Sequence, residues 1–404
     1  MMNTIDMHKK ISQDLFFRLS ALAIIASAFH FWPFDNSKIW QLANPANMLC
    51  MVAFTILLAY IFYSQTRQKI ENPLPHISIL AYLIVNILSV AHAQNFGRSL
   101  NYTAKLCLVM VGGFFLFSVA ASTRKHLLRM HIAIVIAAVI SVAGCFIFRF
   151  ILNADRFGFH ENAYKYGTYI GIIVPMACLY LLNSNTKIKI YLAFLLLIVS
   201  IITSGTIGAI FAISVSTIIP LTFSKQPLAK ILMATLIMTV SLSILFFADI
   251  NNINSDFQLA EKDNINLRQR YIEWQAQINL LSNKAIPGTG AGCVNDYRSE
   301  FYYRLPKLNT LKPFDQNGFL SVAAETGFVG LACFIWIILH YGKKCFIRNN
   351  NTQLSIANAA GFIGACIGNI FSSVHYNGNL ITFVLVLALI NSTNQLYGEN
   401  KNEI

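Results

Sequence analysis

Charged residues are scarce in this 404-residue chain. Only 12% of its residues are charged and 56% are hydrophobic, whereas soluble domains carry about 25% charged residues. Apolar blocks of about 20 residues, the length that crosses a bilayer as a helix, recur along the chain. Acidic residues are fewer than basic ones: 17 aspartates and glutamates stand against 30 lysines and arginines, which gives a net charge of +13. We therefore predict a polytopic all-α membrane protein whose excess cations meet anionic lipid and not nucleic acid.

Several kinds of site are missing from the sequence. The eight cysteines are scattered, without a CxxC pair, metal-ligand spacing or a disulfide framework. The run Gly288-Thr289-Gly290 lacks the Lys-Ser/Thr of a nucleotide-binding loop. The first apolar block continues into Trp32-Pro33 without a small-residue cleavage site, so we expect no cleavable signal peptide.

Hydropathy predicts about twelve spans, grouped around one long polar loop. Nine fall in residues 1–249, the polar loop occupies 250–317, and three follow in 318–404. The apolar stretch 188–223 is too long for one span, so we divide it at a tight turn, Thr203–Thr206. The predicted spans are 16–34, 46–64, 76–93, 102–122, 130–152, 163–182, 188–204, 206–223, 230–249, 318–340, 354–373 and 379–395.

The positive residues predict the orientation of the chain. They cluster in alternate short loops, for example Arg124, Lys125 and Arg129, and such loops mark the cytoplasmic side. Both termini are then cytoplasmic. The long polar loop faces outward, into the periplasm of a cell with two membranes.

The polar loop contains a segment with helical periodicity. Its polar positions Arg268, Gln269, Glu273, Gln275 and Gln277 point largely away from the apolar side, and Arg268 and Arg270 place cations beside that side. We predict an amphipathic helix that lies on the membrane surface or on other helices; a covering helix with solvated arginines is the alternative. The apolar positions recur at steps of three and four and are Leu267, Tyr271, Trp274, Ile278 and Leu281.

Ionisable groups near the outward side predict an anion site. Arg156, His160 and Lys165 flank the start of the span at 163–182, where the alternative role is anchoring at the membrane interface. Arginine holds phosphate oxygens at two points, so these cations suit a lipid-linked phosphate and could neutralise a leaving group. Glu325 is a carboxylate at membrane depth, either functional or a buried structural group.

Four features carry a family resemblance. Arg270 stands four residues before Trp274, and a Pro-Gly-x-Gly run follows at 287–290. Asn317 is followed by Gly327 and then Gly330, with Glu325 between. The long loop between late spans faces outward. The fourth feature is Arg156-x-Gly158-Phe159-x-x-Asn162, with Pro175 thirteen residues further on.

In this order the features resemble the O-antigen ligase and O-antigen polymerase family of membrane glycosyltransferases, over roughly Arg156 to Leu339. The resemblance implies transfer of a glycan from undecaprenyl diphosphate to lipid A–core or another repeat unit. The reaction takes place at the periplasmic face of a bacterial inner membrane, in lipopolysaccharide or surface polysaccharide biosynthesis. It implies no metal, nucleotide or other cofactor. Arg268 and Arg270 would contact the diphosphate, with Arg156, Lys165 and His160 as secondary groups.

Two departures from the family pattern concern chemistry. The family histidine before the matching asparagine is Gln316, and the family Ser-Arg-Gly turn is Ser204-Gly205-Thr206. Glutamine cannot accept a proton as imidazole does, so we expect Gln316 and Asn317 to orient the acceptor hydroxyl. Glu325, His160 and Asp315 remain alternatives as the base. The rival functions are a flippase for lipid-linked glycan and a homologue that only binds it.

Overall fold

The structure, a computed structural model, is all-helical in the residues that it describes. The predicted spans at 46–64 and 230–249 lie outside them. The described residues are 4–27, 75–152, 163–182, 186–204, 206–223, 265–286, 288–297, 317–346, 352–373 and 379–398.

Helices occupy the predicted spans wherever the chain is described. Within that part, six are long and apolar enough to cross a membrane. The all-α, multi-pass class is therefore confirmed, and the count of twelve stays a prediction. The helices are α1 (Thr4–Ser27), α2 (Ile77–Ser89), α3 (Phe96–Ala120), α4 (Arg124–Ile151), α5 (Ala163–Leu182), α6 (Lys187–Thr203), α7 (Ile207–Leu221), α8 (Ile265–Asn283), α9 (Gly318–Phe346), α10 (Gln353–Phe371) and α11 (Asn379–Gly398).

The division of residues 188–223 into two helices is confirmed. α6 ends at Thr203 and α7 starts at Ile207, where the Thr206 side chain accepts a hydrogen bond from the Ala209 amide (3.3 Å). Thr203 donates its hydroxyl proton to a carbonyl of its own helix, so it accepts from the buried Tyr166 hydroxyl at 2.9 Å. The turn is thus capped on α7 and tied to α5.

The basic residues at 124–129 and 343–344 lie at one end of the helix bundle, which we call the basic end. The Arg129 guanidinium lies 5.8 Å from the ring centre of Phe17 on α1. Lys344 Nζ on α9 donates to Asn391 Oδ1 on α11 at 2.8 Å. These contacts join helix ends that the predicted alternation puts on one side. Which side of the membrane this is stays a prediction.

The other ends of the helices meet at what we call the opposite end. Asn379 Nδ2, at the start of α11, donates to the Lys165 carbonyl on α5 at 3.5 Å. Gly208 on α7 packs against the Phe371 side chain at the end of α10. Under the predicted orientation, the opposite end faces outward.

The centre of the bundle depends on small residues. Pro175 lies inside α5 and has no N–H, so it leaves the carbonyl of Gly171 without its usual helical partner. Gly364 on α10 approaches this carbonyl so closely that an added Cβ would lie 2.0 Å from the oxygen. Ser216 on α7 directs its hydroxyl at the same oxygen from 3.5 Å. Glycine and serine thereby let three helices pack around a freed polar group, as membrane helices require.

We expect Gly364→Ala to separate α5 from α10. The added Cβ would overlap the Gly171 backbone, which a rotamer change cannot relieve, so the cost should be about 1–3 kcal/mol. Thermal unfolding of the purified protein in detergent measures it. Gly97→Ala is the matched control, because its Cβ would meet only Asn95 Oδ1 at 3.9 Å. Equal melting temperatures for the two variants would contradict this account of the packing.

Candidate functional site

Helix α9 is broken nine residues after its start. Gly327 has φ 70° and ψ −174°, which interrupts the helical hydrogen bonds around it. In a continuous helix the Phe328 amide would donate to the Ala324 carbonyl. Here that amide donates instead to the Ala285 carbonyl at 2.9 Å. The break therefore leaves main-chain groups of α9 to be paired by another segment.

That segment is residues 285–292, which we call the glycine loop. The Thr289 amide donates to the Ala324 carbonyl at 2.9 Å, and the Thr289 hydroxyl donates to the same oxygen at 3.2 Å. The Gly290 amide donates to the Glu325 carbonyl at 3.0 Å. The Pro-Gly-x-Gly run and the Glu-Thr-Gly run of the family resemblance thus bind each other through main-chain hydrogen bonds.

Glycine is required on both sides of this contact. Gly288 has φ 66°, and an added Cβ would lie 2.4 Å from the Glu325 carbonyl oxygen. An added Cβ on Gly327 would lie 2.0 Å from the Ile286 carbonyl oxygen. Both residues adopt left-handed backbone conformations that side chains disfavour. The two motifs therefore specify a close backbone contact.

The glycine loop continues onto α2 and α3. The Ala291 amide donates to Ser89 Oγ at 3.1 Å, and Asp296 forms an ion pair with Arg98. Cys293 is fully buried there, and burial raises the pKa of its thiol above the usual value. The carboxylates of Asp296 and Glu325 shift this pKa in the same direction. The thiol is accordingly neutral and packed at neutral pH.

The glycine loop is not a phosphate cradle. Such a cradle needs main-chain N–H groups that point at the ligand. The amides of residues 288–291 all donate to acceptors of the protein: the Lys284 carbonyl, the Ala324 carbonyl, the Glu325 carbonyl and Ser89 Oγ. A phosphate at this end of the bundle would have to be held by side-chain cations.

Helix α8 corrects one expectation. Trp274, Ile278 and Leu281 were expected to line one apolar face, on the membrane surface or on other helices; Leu281 is buried in the protein, whereas Ile278 is 55% exposed. Glu273 and Gln277 were expected to point elsewhere, yet each is only 1% exposed. The reason is that α8 packs against the first turns of α9, and a polar partner is available there. That partner is the Ser321 hydroxyl, 3.5 Å from Gln277 Nε2.

The two helices run side by side in the same direction. Gln277 meets Ser321, and eight residues later Ala285 meets Phe328, seven residues after Ser321. An antiparallel arrangement would move these segments apart along the axis. Moving one turn towards the start of α8 therefore reaches the same level as moving one turn along α9 towards Asn317.

This register separates the two arginines of α8, whose side chains lie outside the described part. Arg270 precedes Gln277 by seven residues, two turns, and so occupies the face that packs on α9. Arg268 is two positions earlier, about 200° around the axis. Position 270 is on the side of the candidate site, and position 268 is on the other side of the helix.

Asn317 begins α9 as its N-cap. Its Oδ1 accepts from the Leu320 amide at 3.0 Å, which leaves the amide group of the side chain as its donor. Lys165 is half-buried at the same end, beside the start of α11. Gln316, Arg156 and His160 lie outside the described residues, so their predicted roles are neither supported nor opposed.

Glu325 lies deeper than Asn317. It is 4% exposed, eight residues and about 12 Å along the helical segment from Asn317. Its carbonyl is held by the amide of Gly290 in the glycine loop. One acceptor hydroxyl cannot meet both groups, so the structure does not bring Glu325 and Asn317 together. A catalytic role for Glu325 stays a prediction.

No group of three or more potential metal ligands occurs in the part of the chain that the structure describes. Metal independence nevertheless stays a prediction.

The sequence analysis did not identify the buried polar residues of α8, Glu273 and Gln277, because hydrophobic periodicity counts only apolar positions. The four-residue spacing of Glu273 and Gln277 was the available signal.

Comparison with known families identifies one match. A family model described as O-Antigen ligase matches residues 192–335, which run from α6 through α8 and the glycine loop into α9. The resemblance to the O-antigen ligase and polymerase family is therefore confirmed over this segment. The pattern from Arg156 to Asn162 and Pro175 precedes the match. A search of curated proteins finds no match.

The match bears on the function at a coarse level. It points to an O-antigen ligase or polymerase type of function in polysaccharide biosynthesis, with lipid-linked glycans and polysaccharides as the general kind of substrate. The apolar helices agree with this class, because they make the chain a multi-pass membrane protein.

We expect Gly327→Ala to release the glycine loop. The left-handed backbone alone costs a side chain about 1–2 kcal/mol, and the contact with the Ile286 carbonyl adds to this. The melting temperature in detergent should fall. Cys293, which is buried under the loop, should become accessible to a thiol-reactive maleimide, as mass spectrometry of the labelled peptide would show.

Gly342→Ala is the control for this variant. It lies on the same helix, and its Cβ would meet only two ring carbons of Phe362, at 3.3 and 3.6 Å. Slow labelling of Cys293 in both variants would show that the contact at Gly327 does not hold the loop.

Proposed function

We propose that this protein transfers a glycan from undecaprenyl diphosphate to a saccharide acceptor at the outward face of a bacterial inner membrane. The acceptor is lipid A–core for a ligase or another repeat unit for a polymerase. One observation carries the proposal. The family-matched segment contains α8, the glycine loop and the start of α9, and their mutual contacts fix these elements together.

Arg270 is the principal diphosphate contact in this proposal. Its position lies on the α9 side of α8, two turns before Gln277. A guanidinium there binds two phosphate oxygens and stabilises the charge that develops on the leaving diphosphate. The main-chain amides of residues 288–291 are engaged within the protein, which favours a side-chain cation as the phosphate contact.

Other cations assist from the same end of the bundle. Lys165 at the start of α5 and Arg156 and His160 before it attract the anionic donor, as does Arg268 from the far side of α8. Gln316 and Asn317 orient the acceptor hydroxyl at the start of α9. The Asn317 side chain retains its amide donor for this role, because its oxygen caps the helix. We assign Glu325 to the support of the helix break.

The proposal predicts different effects for the two arginines. Arg270→Ala should lower transfer about 100-fold to 1,000-fold, the effect of losing one transition-state contact. Arg268→Ala should cost under about tenfold, because its position is on the other side of α8. Each variant would be returned to a deletion strain and its glycan ladder compared on a gel, with membrane levels matched by immunoblot. A normal ladder with Arg270→Ala would contradict the assignment.

The deletion strain itself separates ligase from polymerase. Core without O-chain, with long polymer retained on the lipid carrier, is expected for a ligase. Core that bears a single repeat is expected for a polymerase. An unchanged ladder with donor accumulated on the cytoplasmic leaflet would contradict glycosyl transfer and favour a flippase.

A further inference from the structure

Glu273 is a carboxylate buried in an unusual place. It lies on α8, outside the predicted spans, yet only 1% of it is exposed. Acidic residues are almost never fully buried unless an interaction requires it. The rest of the packed face of α8 includes Ala276 and Leu280, which need no such partner. Glu273 takes part in a polar or electrostatic interaction at this position, so its carboxylate is specifically placed.

The register of α8 and α9 locates this carboxylate. Gln277 meets Ser321 at 3.5 Å, and the helices run parallel. Glu273 is one turn before Gln277 on the same face, and Asn317 is one turn before Ser321. Glu273 therefore lies level with Asn317, at the end of α9 where the proposed acceptor hydroxyl is oriented.

The same register places the donor beside it. Position 270 precedes Glu273 by three residues, so the two are neighbours on one face of α8. The start of α9 also carries the positive end of the helix dipole, which favours a carboxylate nearby. Position 270 and Glu273 on α8, with Asn317 level with Glu273 on α9, then lie within about two helical turns.

We propose that Glu273 is the general base that takes the proton of the acceptor hydroxyl, an inference that rests on the proposed function. The acceptor oxygen forms a bond to the anomeric carbon of the donor glycan. The bond from that carbon to the diphosphate oxygen breaks, and its electron pair leaves with undecaprenyl diphosphate. The acceptor proton moves to the Glu273 carboxylate, which later releases it to water.

Glu273 performs what the neighbouring residues of α9 cannot. Gln316 has no basic atom, and Asn317 uses its oxygen to cap the helix. Glu325 lies about 12 Å deeper along the helix. A base supplied by the facing helix is compatible with a glutamine in the position before Asn317.

The test replaces the carboxylate with its neutral isostere. Glu273→Gln should lower kcat about 100-fold to 10,000-fold, the usual contribution of a general base. Purified protein would be added to membranes of the deletion strain, and glycan product would be quantified on gels. Donor binding should be unchanged, as judged by the shift in melting temperature that added undecaprenyl diphosphate causes. Gln275→Ala, an exposed position on the same helix, is the control and should retain full kcat.

The outcomes distinguish a general base from a structural role for Glu273. Wild-type kcat in a folded Glu273→Gln protein would overturn the role of Glu273 and leave the proposed function standing. Loss of undecaprenyl diphosphate binding together with activity would overturn it too, in favour of a structural role. If Glu273→Gln fails to accumulate, Glu273→Asp decides. A base withdrawn by one methylene should lower kcat at least about tenfold, and full kcat would count against it.

A wild-type protein that forms no product from the same membranes would overturn the proposed function, and the role of Glu273 with it. Arg270→Ala keeps these failures apart. It should lose the response to undecaprenyl diphosphate, whereas Glu273→Gln should keep the response and lose turnover.

Discussion

The exchange of main-chain hydrogen bonds at Gly327 is the interaction on which the candidate site depends. A helix break at membrane depth normally leaves unpaired amide and carbonyl groups, each costly in an apolar environment. Here Phe328 donates to Ala285, while Thr289 and Gly290 donate to carbonyls of α9. Because these bonds tolerate little displacement, they fix the register between α8 and α9. Every polar group on the packed face of α8 is thereby placed against a defined turn of α9.

This constraint also determines how an anion could be bound. A glycine-rich loop beside a helix start suggests a phosphate site held by main-chain amides. The amides of residues 289–291 instead donate to α9 and α2, and the Gly288 amide donates to the Lys284 carbonyl. Phosphate recognition therefore falls to side chains, and arginine is the residue that grips it at two points. Under the proposed function, a few of the cations behind the net charge of +13 contact the donor.

The hydropathy and charge patterns were sufficient to predict the helical architecture of the described residues. They predicted the helices, the turn at Thr203–Thr206 and the shared basic end, because each depends on span length or on local charge. They were wrong about Glu273 and Gln277, which were expected away from the packed face of α8 and are buried there. Amphipathic periodicity assumes that apolar residues face the protein, and the Ser321 hydroxyl reverses that preference. The contact of the glycine loop with α9 joins segments some 35 residues apart, a pairing that no local pattern encodes.

The register of α8 and α9 bears on the glutamine at position 316, where the family pattern has a histidine. A catalytic base needs only to reach the proton, so its position in the chain can change if another element presents an equivalent group. Two parallel helices locked at Gly327 present two residues at the same level, one from each helix. In this chain α9 supplies Asn317 and α8 supplies Glu273. Loss of a base from one helix is then tolerable where the opposing helix carries a carboxylate. The rigid register makes such an exchange possible, because a mobile α8 could not hold the carboxylate within reach of the acceptor.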